Sequence, residues 1–227
     1  MPDNALRSIT GRAIANRMAS PMPVRDDAIP ENARSLSNLE ELNAFIAASA
    51  SLVPGATRAV LGEGPKGAAI AFVGEQPGDQ EDRQGRPFVG PAGHLLDRAL
   101  NEAGIERRSS YLTNAVKHFK FEQRGKRRVH LRPTAGEVRH YRWWLERELE
   151  FVNPHMVVAL GATAVFALAG KALPISRNRG TTHFGDRLGF ITVHPSYLLR
   201  LPDEESRAEA FDAFVADLRQ VRRLASA

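Results

Sequence analysis

Four short, nearly continuous apolar runs, residues 69–73, 110–116, 155–160 and 189–193, are separated by stretches of helical periodicity. Runs of that length, bounded by glycine, proline or asparagine, read as strands buried on both faces. Strands that alternate with helices predict a parallel sheet with helices on both sides, and ligands gather at the carboxyl ends of such strands. Helical spacing marks residues 37–46, 93–103, 134–150, 161–170 and 204–225. Residues 1–35 mix polar residues and prolines and read as a loosely ordered extension, which leaves 36–227 as one domain.

Three of the four strands end in side chains suited to chemistry. After the first comes Gly74-Glu75-Gln76-Pro77-Gly78-Asp79-Gln80-Glu81-Asp82, continuing through Arg86-Pro87-Phe88-Val89-Gly90-Pro91-Ala92-Gly93. Glycines that permit close approach, stiffening prolines and several acids make this a site loop, with Phe88 offered as a stacking plate. The second strand delivers Asn114, which can read a pyrimidine edge or cap a loop; the residues alone leave both open. Next, residues 119–132 cluster Lys120, Arg124, Lys126, Arg127, Arg128, His130 and Arg132 around Gly125, read as a flexible loop suited to a phosphate backbone. The cations around His130 favour its neutral, nucleophilic form. The last strand ends in His194-Pro195-Ser196-Tyr197-Leu198-Leu199-Arg200, an imidazole on a stiffened turn followed by apolar side chains and a cation.

Other chemistries are absent from the sequence. With no cysteine, the chain has no disulfide, thiolate metal site, iron–sulfur cluster or cysteine nucleophile. No His-x-x-x-His pair, Walker loop or Gly-x-Ser-x-Gly elbow occurs, so neither metal nor cofactor is expected. The formal net charge of +5 favours an anionic partner. No run is long enough to span a bilayer and no apolar signal core opens the chain, so a soluble intracellular protein is expected.

These motifs resemble the uracil-DNA glycosylase superfamily from about Leu39 to the end. Gly74-Glu75-Gln76-Pro77-Gly78-Asp79-Gln80 looks like its first motif and His194-Pro195-Ser196 like its second. With Asn114-Ala115-Val116-Lys117-His118-Phe119-Lys120 and Lys126-Arg127-Arg128-Val129-His130, they look most like the UdgX-type branch. The fold this implies, a three-layer α/β/α sandwich on a central four-stranded parallel sheet, agrees with the strand pattern. UdgX-type and family 4 enzymes hold an iron–sulfur cluster on four cysteines, and approximate alignment puts Ala47, Ala50, Tyr141 and Ala159 at those positions. Apolar packing, with Tyr141 filling part of the vacated space, is therefore expected to support the basic loop.

The resemblance implies excision of uracil from DNA by N-glycosidic cleavage, the first step of base excision repair, on a base flipped out of the strand. Phe88 would stack on the uracil, Asn114 would pair with its O4 and N3 edge, and Gln76 would help through its backbone or side-chain amide. His194 would hydrogen-bond O2. Glu75, or as second choice Asp79, would steady the sugar cation. The segment from Ser196 to Arg200 would wedge into the helix through Tyr197-Leu198-Leu199 and hold phosphate, and Lys117, Lys120 and Arg128 would grip the backbone. In UdgX-type proteins the histidine of the Arg-Arg-x-His loop captures the sugar covalently; His130 stands there, leaving capture and turnover with water both open. The implied partner is uracil-containing DNA, single- or double-stranded, met by a monomer in a bacterial-type cytoplasm at the nucleoid. The alternative is a non-catalytic uracil or abasic-DNA binding protein, whose carboxylate would be lost or misdirected.

Overall fold

The computed structural model describes residues 30–53 and 55–226, so residues 1–29 of the expected extension, together with Pro54, lie outside the described residues. Glu31–Ala33 form a 3-10 turn with Ala33 buried in the core. The main sheet has the order β2 (Tyr111–Asn114), β1 (Ile70–Gly74), β5 (Met156–Leu160), β7 (Arg187–Thr192), β6 (Gly180–Phe184). Neighbours from β2 to β7 pair in parallel.

Alternate side chains of β1 face opposite helical layers. Ala71 and Val73 join a core with α1 (Leu39–Ala48), α4 (Ala135–Val152) and α5 (Ala162–Ala169). Ile70 and Phe72 join a second core with α3 (Pro91–Ala103) and α8 (Glu204–Ala225). Such two-faced burial explains why the strands read as apolar runs and not as alternating ones.

Helix ends follow local chemistry. Asn38 accepts the Glu41 N–H at 2.9 Å, and Thr134 with Glu137 forms a capping box, Thr134 Oγ1 accepting the Glu137 N–H at 3.2 Å and Glu137 Oε2 the Thr134 N–H at 2.6 Å. α3 starts on Pro91 and stops at left-handed Gly104.

The structure corrects three expectations. The sheet has five strands instead of four, because residues 180–184 add antiparallel to the outer edge of β7 with Thr182 and Phe184 turned inward. The expected flexible loop 119–132 contains an antiparallel hairpin, β3 (Phe121–Arg124) and β4 (Arg127–His130), separate from the main sheet. The long site loop contains the short helix α2 (Asp79–Gln84).

The chain passes from β1 outward to β2 and then returns to the other side of β1 with β5. That reversal opens a crevice beyond the carboxyl ends of β1 and β5, the position where open α/β sheets bind ligands.

Candidate active site

The register sets the site. Gly74 lies opposite Asn114, and Leu160 lies opposite Thr192, so the loops carrying Glu75, Asn114, Thr163 and His194 leave from one edge. Glu75 bridges the crevice: its carboxylate accepts a hydrogen bond from Thr163 Oγ1 near the start of α5. The other oxygen, Oε1, is 3.4 Å from His130 Nε2 at the end of β4.

Asn114 and Phe88 meet over Gly74. A Cβ there would run into Asn114 Oδ1 and lie 2.6 Å from Phe88 Cζ, so glycine is what lets amide and ring share the space. Phe88 holds φ +54°, a costly conformation for a bulky residue, and such strain persists where the surroundings over-determine it. Buried Glu81 supplies part of that determination: its Oε1 accepts the N–H groups of Val89 and Gly90 at 3.0 and 2.7 Å, and Oε2 accepts that of Gly78 at 3.0 Å.

The His194 ring stacks toward Phe88, with centroids 6.2 Å apart and 28° between planes. The Ser196 N–H donates to its Nδ1 at 3.2 Å, so the neutral ring carries its proton on Nε2. Burial, then Arg200 and His130, push its pKa down to about 4. Arg200 Nη1 donates to Ser196 Oγ at 3.0 Å, and that hydroxyl lies 2.8 Å from Nδ1, so Ser196 fixes the imidazole besides standing at the rim. A Cβ on Gly161 would come within 2.9 Å of His194 Cβ, so the β5 turn is cut to fit this residue. His130 is also held below its usual pKa, by burial and by Arg200 against the opposing pull of Glu75. Both imidazoles are neutral at pH 7.

The hairpin reaches Glu75 because the site loop holds it. Gln76 Nε2 donates to Lys120 O at 3.1 Å and to Leu131 O at 3.0 Å, and its Oε1 accepts the Lys120 N–H at 3.3 Å. Arg128 pairs with Asp79 and, at 2.5 Å, with buried Asp82, and lies 5.0 Å from the Phe121 ring centroid.

The sequence has counterparts among known proteins. Residues 61–219 match the family model described as the uracil DNA glycosylase superfamily. The chain belongs to the uracil-DNA glycosylase superfamily. It is 42% identical to a Type-4 uracil-DNA glycosylase of Thermotoga maritima over 154 residues, 66% of this chain and 77% of the relative. Type-4 uracil-DNA glycosylases of Sulfurisphaera tokodaii and Archaeoglobus fulgidus are 33% and 35% identical, over 74% and 68% of this chain and 76% and 78% of theirs.

Against that family background, several expected contacts need reassignment. Lys117 is fully buried: its Nζ donates to Glu148 Oε2 at 2.5 Å, Thr113 Oγ1 at 2.6 Å and Asn114 O at 3.0 Å, so it steadies the end of β2 and cannot grip DNA. Lys120 is held by Glu137 at 2.8 Å, and Arg128 by the two aspartates, so both brace the hairpin. The Gln76 side-chain amide is engaged by the hairpin, so of the two routes expected for its contact with the base the backbone is the one left open. Asp79 is tied to Arg128 and Arg83; their pull outweighs its burial and keeps its pKa low, leaving Glu75 as the carboxylate that faces His130.

The residues do not fit the four-cysteine cluster that the resemblance implies. Ala47 and Ala50 are exposed, and Ala159 lies inside β5 between Val73 and Ile191. Tyr141 is buried, as expected, but its partner is His118, whose Nδ1 lies 2.8 Å from the phenol oxygen. His118 directly precedes Phe119, whose ring stacks on Phe121 at 5.1 Å, so a histidine–tyrosine contact and aromatic packing carry the hairpin base. The sequence reading missed His118, Thr163, Asp82 and Glu81. Glu81 had a signal, an acid three residues after the helix-starting Gly78; the others are joined only by long-range folding.

Proposed function

We propose that this chain excises uracil from DNA and that His130 then captures the abasic sugar. The observation that carries the reading is the 3.4 Å contact between Glu75 and His130, beside the Phe88, Asn114 and His194 cluster. An extruded uracil stacks on Phe88, and the Asn114 amide accepts from N3–H and donates to O4, a pattern that cytosine reverses. As the C1′–N1 bond breaks, its electron pair moves to the base, and Nε2–H of His194 donates to the growing charge on O2. The carboxylate of Glu75 stabilises the positive charge on the sugar. The Nε2 lone pair of neutral His130, whose proton sits on Nδ1, then bonds to C1′, and the resulting imidazolium loses its Nδ1 proton to solvent.

A non-catalytic binder would have its carboxylate lost or misdirected; Glu75 is present, held by Thr163 and turned to His130, which supports the catalytic reading. Incubation with uracil-bearing single strands and denaturing electrophoresis test the proposal. The expected result is released uracil and a protein–DNA band that His130→Ser abolishes. Release without that band would leave water as the acceptor, and no release at all would remove the glycosylase reading.

A further inference from the structure

The hairpin is tied down at its base and bare at its tip. Gln76, Arg128 and the Phe119–Phe121 stack secure residues 119–121 and 128–131. Residues 122–127 are all exposed. A two-stranded ribbon is marginally stable alone, so six exposed residues beyond the packed base gain little from folding and call for another use. The charge pattern points to one. Arg124 and Arg127 stand directly opposite each other in the antiparallel register, an arrangement that like charges disfavour. Lys126 sits in the turn between them, and the tip holds these three cations against one acid, Glu122, which pairs with Arg124 at 2.7 Å. The side chains of Lys126 and Arg127 make no hydrogen bond or ion pair among the described residues, unlike those of Lys117, Lys120 and Arg128.

We propose that the hairpin tip, through Lys126 and Arg127, binds phosphates of the DNA strand flanking the extruded nucleotide. This rests on the reading of the chain as a DNA enzyme and replaces the buried and paired cations as its backbone contacts. Arg127 lies three residues along β4 from His130, roughly 10 Å at about 3.3 Å per residue. A DNA strand carries a charge about every 3.4 Å of axis, so the tip meets phosphates within about three nucleotides of the captured sugar. The base of the hairpin aims His130 while the tip holds the strand beside it.

The test is the salt dependence of equilibrium binding to a fluorescent single strand carrying 2′-fluoro-2′-deoxyuridine, whose glycosidic bond resists cleavage, so that excision and covalent capture do not compete with binding. Each phosphate contact contributes about 0.7 to the slope of log K against log salt on single strands, so Lys126→Gln with Arg127→Gln lowers the slope by about 1.4. Lys171→Gln with Arg223→Gln, just beyond the end of α5 and in the last turn of α8, removes the same charge and is expected to leave the wild-type slope. An unchanged slope in the tip variant, or an equal fall in the control, overturns the assignment. Steep salt-dependent binding by wild-type protein that releases no uracil from unmodified uracil-bearing strands would instead sink the glycosylase reading and leave the tip assignment standing.

Discussion

His130 Nε2 stands 3.4 Å from Glu75 Oε1, although one residue closes a peripheral hairpin and the other follows a central strand. Gln76, adjacent to Glu75, bonds both ends of that hairpin and so couples the two positions. Gln76→Leu should separate excision from capture. Loss of the two bonds it donates, at roughly 1 kcal/mol each, should slow adduct formation by about tenfold or more, with a smaller effect on uracil release. Time courses of released uracil and of crosslinked protein, run in parallel, check this.

Gly74→Ala should close the base slot, since its methyl group would lie 2.6 Å from Phe88 Cζ and against the Asn114 amide. Overpacking of this kind costs about 1–3 kcal/mol, or roughly 2–12 °C in melting temperature for a domain of this size. Uracil release should fall below detection while a cooperative melt remains.

Asn114→Ala removes both hydrogen bonds to the uracil edge. Uracil release should slow by about a hundredfold, an effect of about 2.7 kcal/mol at tenfold per ~1.36 kcal/mol, with single-strand binding nearly unchanged because the phosphate contacts lie elsewhere. Single-turnover rates beside binding curves separate the two effects.

Lys117→Met should act on stability and not on the salt slope of DNA binding. It leaves Glu148 as an uncompensated buried charge beside Tyr111 and Thr113, at a cost of about 3–5 kcal/mol. Adding Glu148→Leu should restore much of that loss. Urea denaturation of the single and double variants measures it.

His118 and His194 are both pushed down to about pKa 4, chiefly by burial. The unfolded chain binds these protons near the ordinary histidine value of 6.5, so between about pH 6.5 and 4 it holds more protons than the folded chain. Stability is therefore full above pH 6.5 and declines as pH falls through that window. His118→Phe should lose less stability than wild type between pH 7 and pH 5, read from urea midpoints.

The fold was legible where burial on both faces left an unbroken apolar run, as in β1 and β5, and where a cap or glycine marked a helix end, as at Asn38 and Gly104. β6 was hidden because it lies at the edge and only Thr182 and Phe184 point inward. Glu75, Phe88, Asn114 and His194 were visible because each sits at or just beyond a strand end or on a stiffened loop. The cations were misassigned for a physical reason: sequence shows charge and not its partners. Lys117 lies next to the site in the chain, yet its partner Glu148 comes from the middle of α4. The His118–Tyr141 contact was equally invisible, since it joins a strand exit to a helix face.

If His130, the group beside Glu75, ends the reaction by bonding to the sugar, each protein molecule acts once. Counting uracil released per protein molecule, with uracil-bearing single strands in large excess, tests it most directly. Release is expected to stop at one uracil per molecule, with the sugar attached to the peptide containing His130. Sustained release of many uracils per molecule, with no modified peptide, would contradict it.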